Sequence, residues 1–154
     1  MTTDKPNFVI VNSSEIAKDP THRLDPKYWI RKKRHNAENL ILAKMIAKHL
    51  IMHRIWNGLS QKKIAVEDLQ VSHQQYQKIE SVINDPFYVQ IARIFKNRKW
   101  NTEILGSDPA IVLAEWLKND YGNLESWALP DKYHKIIDAW KLLDLKAEKN
   151  YYKK

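Results

Sequence analysis

Apolar residues recur along this chain at helical spacing. Leu40, Ile41, Leu42, Met45, Ile46, Leu50, Ile51, Met52, Ile55 and Trp56 predict a helix capped by Asn36, running to Asn57 and stopped by Gly58. The pattern is wider than an ordinary amphipathic stripe and leaves polar only the side with Lys44, Lys48, His49, His53 and Asn57. Such a helix needs partners on two sides: the rest of its own domain on one, and the C-terminal segment or a second subunit on the other. Upstream, Asp25-Pro26 predicts a short helix carrying Tyr28, Trp29 and Ile30, and the apolar run Phe8 to Val11 reads as a short strand or an arm. Downstream, Asp108-Pro109 opens a helix with Ile111, Val112, Leu113, Trp116 and Leu117. A last helix after Pro130 carries Tyr133, Ile136, Ile137, Trp140 and Leu143.

Between these lies Gly58 to Glu80, where two short helical patterns are separated by about one turn. Ser60 caps the first, with Ile64, Ala65 and Leu69 inward. Ser72 and Gln75 form a capping box that starts the second. Tyr76 and Ile79 then face inward, and His73, Gln74, Gln77 and Lys78 face outward. A small Ala65 at the crossing and an apolar Val71 before the second cap complete a helix-turn-helix pattern.

The runs GLSQKKIA and VSHQQYQKIE, with a long preceding helix, resemble the Xre-type, phage-repressor-like helix-turn-helix family over roughly residues 46–104. The resemblance implies an all-α chain with a five-helix repressor-like domain, an N-terminal arm and a C-terminal helical extension. The domain would be completed by Asp85 to Arg98, with Phe87, Ile91, Ile94 and Phe95 inward, and by a short helix near Trp100 to Leu105. Two departures stand out. Five residues, Val66 to Gln70, replace the usual four, with no Gly in the turn, and the Ser81 to Pro86 loop is short and also lacks Gly. A non-Gly residue held at positive φ costs about 1 kcal/mol, so the turn is strained or rearranged.

Charge narrows the chemistry. The chain carries 26 Lys and Arg against 18 Asp and Glu, a net +8, and residues 1–30 and 107–154 are each neutral, so the whole excess lies within 31–106. A localised positive field suits a polyanion. The chain has no Cys, which excludes thiolate catalysis and Cys-based metal sites, and its 3 Gly offer no phosphate-binding loop. No paired carboxylates or nucleophile elbow occur, so no enzymatic activity, cofactor or metal is expected. His49 and His53 have ligand spacing without a third ligand on the same face. The absence of a signal-like N-terminus or an uninterrupted apolar span predicts a cytoplasmic protein.

The resemblance assigns base contacts to His73, Gln74, Gln77 and Lys78, since Gln suits adenine and Lys suits guanine. It assigns phosphate contacts to Gln61, Lys62, Ser72 and Asn84, with Arg31, Lys32, Lys33, Arg34, Lys63, Arg93 and Lys96 as further basic candidates. Trp116 and Trp140 are expected in dimerisation or packing. The expected organisation is an arm with a short helix and basic run (1–35), a DNA-binding domain (36–106) and a helical extension (107–154). The expected function is that of a sequence-specific, double-stranded-DNA-binding transcriptional repressor acting as a homodimer. The alternative is an interaction adaptor, or an antitoxin-like partner of a toxin, that uses the same fold with weak or no sequence reading.

Overall fold

The computed structural model describes the backbone of residues 26–83 and 88–152 and the side chains of 37–83 and 89–150. Every regular element among these residues is helical. The run Phe8 to Val11 lies outside them. The chain divides into two units, Met1–Asn39 and Leu40–Lys154, and the described part of the first is the opening stretch of α1.

Helix α1 spans Pro26–Trp56 as one piece of 31 residues, where the sequence predicted two helices with a cap at Asn36. The reason is local: Arg31, Lys32, Lys33, Arg34 and His35 contain no helix breaker, so Asn36 is an interior residue. The helix ends in a Schellman motif. Gly58 sits at φ 70, and its N–H donates to the Ile55 carbonyl (3.0 Å) while Leu59 N–H donates to that of Arg54 (2.9 Å). Next come α2 (Gln61–Ile64), a π-helical turn (Ala65–Leu69), α3 (His73–Glu80) and α4 (Tyr88–Arg98). A 3-10 segment (Thr102–Gly106), α5 (Pro109–Tyr121), a second 3-10 turn (Ser126–Ala128) and α6 (Asp131–Tyr152) follow.

Much of the two-sided apolar surface of α1 is covered within the chain, although Ile41 and Leu42 remain exposed at 66% and 51%. Leu50 belongs to a core with Ile64, Ala65, Leu69, Tyr76, Ile79, Ile91, Ile94 and Phe95. Ala43, Ala47, Ile51 and Met52 belong to another, shared with Val112 and Leu113 of α5 and with Ile136, Trp140, Leu143 and Ala147 of α6. Trp140 is 6% exposed and its indole N–H donates to the Lys48 carbonyl at 3.1 Å, so of its two expected roles it packs on α1. Asp144 of α6 pairs with Lys44 and Lys48, each at 3.0 Å. The C-terminal helices thus occupy the α1 face that suggested a second subunit.

His49 and His53 correct the reading of α1's polar side, because both are buried. His49 Nε2–H donates to the Ser107 carbonyl at 2.8 Å and His53 Nδ1–H to that of His49 at 2.7 Å. The His53 ring also lies 4.8–5.1 Å from those of Phe95, Trp116 and Trp100. A neutral imidazole presents an apolar ring to such neighbours, which periodicity in charge-bearing residues does not foresee. Burial pushes both histidines below the usual range, His53 from 6.5 to about 4.

The unfolded chain therefore binds a proton near pH 6.5 that the folded chain refuses until about pH 4. Stability is complete above that window and falls as pH falls through it, by on the order of 3 kcal/mol for His53 alone. Urea denaturation between pH 7.5 and 4 is expected to show this loss, and His53→Leu is expected to flatten it. An equally steep loss in the variant would assign it to other groups.

Candidate nucleic-acid interface

The residues singled out in the sequence lie mainly on α2 and α3. Ser60 Oγ accepts the Lys63 N–H at 3.0 Å, and Ser72 and Gln75 close a reciprocal capping box, with Gln75 N–H on Ser72 Oγ at 3.1 Å and Ser72 N–H on Gln75 Oε1 at 3.0 Å. Both caps are as predicted, and the box commits the Gln75 side chain to the helix start. Tyr76 and Ile79 are buried, while His73, Gln74, Gln77 and Lys78 are exposed. One face of α3 is thereby fixed in the core and the other is a row of hydrogen-bonding side chains.

The turn absorbs its extra residue by widening the helix before it. Over Ala65–Leu69 the hydrogen bonds are of π type, and Gln70, at φ 55 and ψ 43, returns its N–H to the Ala65 carbonyl. Val71 N–H also donates to that carbonyl, at 3.0 Å. Gln70 thus takes the left-handed conformation that the missing Gly would have supplied. The same substitution occurs after α3, where Val82 has φ 64 and accompanies another Schellman pair, Ile83 N–H to the Lys78 carbonyl (3.0 Å) and Val82 N–H to that of Ile79 (3.2 Å). A β-branched residue is strained there, but Val82 is 1% exposed and its side chain belongs to the α1, α5 and α6 core. Burial offsets the backbone cost and ties the end of α3 to that core. Asn150 Nδ2 of α6 adds a bond to the Ser81 carbonyl at 3.0 Å.

Beneath α3 runs a polar chain that joins three helices. Glu80, 4% exposed, accepts Arg54 Nε on Oε2 at 2.7 Å and Arg54 Nη2 on Oε1 at 2.9 Å. Gln61 Nε2 donates to the same Oε1 at 2.9 Å, and Gln61 Oε1 lies 2.9 Å from His73 Nε2. Arg54 Nη1 also donates to the Leu59 carbonyl at 3.2 Å. Burial works against the charge of Arg54, but the Glu80 hydrogen bonds and carboxylate outweigh it and hold its pKa above the ordinary value. Burial, with Glu80 beside it, pushes the Tyr76 phenol well up and keeps it neutral. A bidentate buried pair of this kind sets both the height and the rotation of α3 against α1.

A second clamp holds the π turn. Asp68, 4% exposed, accepts Arg98 Nε at 2.9 Å and Asn97 Nδ2 at 3.3 Å, while Arg98 Nη2 reaches Glu67 at 3.1 Å. These bonds attach the widened turn to the end of α4.

The assigned residues therefore divide. His73, Gln74, Gln77 and Lys78 share the exposed surface of α3. Lys62 and Lys63 are exposed on α2, with Lys63 Nζ 3.8 Å from Glu67, and Arg93 and Lys96 are exposed on α4. Gln61 is turned toward Glu80 and His73, and Ser72 toward the capping box. Asn84 lies outside the described residues, as do the side chains of Arg31, Lys32, Lys33 and Arg34, whose backbone is within α1. Trp116 is half-buried against His53 and Trp56.

Sequence reasoning missed Arg54, Asp68 and Arg98. The available signal was an Arg on a helix otherwise apolar on most sides, and acids at positions 68 and 80 that fall among inward-facing residues. Comparison with family models, with curated proteins and with solved structures finds no match to this chain.

Removing one partner of a buried ion pair leaves the other uncompensated, at a cost of about 3–5 kcal/mol. Glu80→Ala is expected to lose stability on that scale by urea denaturation, and the double variant Arg54→Met with Glu80→Leu to lose much less. A double-variant loss equal to the sum of the two single-variant losses would mean that the pair does not act as a unit.

Proposed function

We propose that this chain is a cytoplasmic, non-catalytic, sequence-specific binder of double-stranded DNA, acting as a transcriptional repressor with α3 in the major groove. The observation that carries this reading is the exposed row His73, Gln74, Gln77 and Lys78 on a helix whose opposite face is buried and whose two ends are anchored. Side chains of these types match the donor and acceptor pattern of base edges. The location of the +8 excess within residues 31–106 supports it, because phosphate neutralisation supplies the sequence-independent part of such binding. Gln61 acts here as a positioning residue, while Lys62 is the α2 side chain free to meet phosphate. Association as a homodimer follows from readout: one recognition helix covers few base pairs, and a second copy would sit on a half-site about 34–36 Å away.

A second reading, an interaction adaptor or antitoxin-like partner with little sequence preference, draws support from apolar side chains left exposed on α6, Leu142 at 51% and Leu145 at 83%. The two readings differ in what DNA does to the protein. On its preferred duplex, Gln74→Ala is expected to lose about 1–3 kcal/mol of binding free energy, and much less on scrambled DNA. Fluorescence anisotropy on both duplexes measures this, and equal losses would favour the adaptor.

Lys62→Ala is expected to weaken all duplexes alike and to reduce the slope of log K against log salt by about 1. A salt titration with an unchanged slope would remove Lys62 from the phosphate contacts.

A further inference from the structure

On the side of α1 that carries His53, Trp56 and Asn57, a cavity of about 390 Å³ is bounded also by Trp100, Asn101 and Ile104 and by Trp116, Asn119 and Asp120 of α5. Three of the chain's 6 Trp meet there. We propose that this cavity is a binding site for an organic cation, an alkylated or aryl ammonium ion held between indole faces and the Asp120 carboxylate.

Three observations carry the assignment. First, the size falls within the range of small-molecule sites, roughly 300–1,000 Å³, and the wall combines aromatic faces with a few polar groups. Second, the charge is one-sided. Asp120 is the only residue among those lining the cavity that is charged at neutral pH, since burial depresses the His53 pKa to about 4 and leaves its ring neutral. With Nδ1–H committed to the His49 carbonyl, the remaining His53 nitrogen is an acceptor, as the Asp120 oxygens are. Third, the same aromatic group already takes a cation from within the chain. Lys132 Nζ lies 3.8 Å from the Trp56 ring centroid and 5.6 Å from that of Tyr121. Lys132 does not line the cavity, whereas Trp100 and Trp116 do, and its ammonium lies over Trp56 and Tyr121. An indole face attracts a cation through its quadrupole, most strongly where water is displaced.

The site rests on its own geometry and not on the proposed reading of DNA, so its test uses the full chain without DNA. Phenyltrimethylammonium and its uncharged isostere tert-butylbenzene are titrated into the protein, with the Trp indole N–H resonances as the readout. Saturable shifts at Trp100 and Trp116 are expected for the cation, with affinity about tenfold above the isostere. Asp120→Asn, an exposed substitution, is expected to weaken the cation several-fold and leave the isostere unchanged. Trp100→Leu tests the ring contribution, and its fold is checked by the unaltered resonances of the α3 amides. Equal affinity for cation and isostere, or no saturable shift at Trp100 and Trp116, would overturn the proposal.

Discussion

The Glu80 carboxylate is the point on which the candidate interface depends. It is almost wholly buried at the last position of α3, where it receives two hydrogen bonds from Arg54 on α1 and one from Gln61 on α2. A charge in that position is costly unless its oxygens are engaged, and here both accept hydrogen bonds from the neighbouring helices. Gln61 extends the constraint to His73 at the other end of α3. The helix is therefore held at both ends by polar contacts, while Tyr76 and Ile79 anchor its middle through apolar burial.

The two cores divide the surface of α1 between them. One face of α1 supports α2, α3 and α4, and another supports α5 and α6. Val82 belongs to the second core although it follows α3 directly, so α5 and α6 also brace the end of that helix. The aromatic seam of His53, Phe95, Trp100 and Trp116 joins α1 to α4, to the segment after it and to α5. In this arrangement the C-terminal helices are structural partners of α1, and no helix among the described residues is long and apolar enough to cross a membrane.

Much of this was legible in the sequence where local chemistry decides it. The Ser60 and Ser72 caps, the Gly58 stop and the inward positions of Tyr76 and Ile79 all follow from short-range rules. Long-range pairing was less legible. The Arg54–Glu80 and Asp68–Arg98 contacts join residues 26 and 30 positions apart, and no periodicity marks such partners. His49 and His53 were misplaced because a hydropathy pattern scores imidazole as polar, whereas a neutral ring with one satisfied N–H can be buried, as His53 is against Trp100 and Trp116. The break expected at Asn36 failed for a simpler reason: a good capping residue does not start a helix when the residues before it are themselves helical.

The claim that α3 is a reading helix is tested most directly by selection of bound fragments from a random duplex pool with the intact protein, repeated with Gln74→Ala. The account predicts an enriched motif for the native chain and a loss of preference at one position of that motif for the variant. Retention of DNA without enrichment, or the same motif from both proteins, would contradict it.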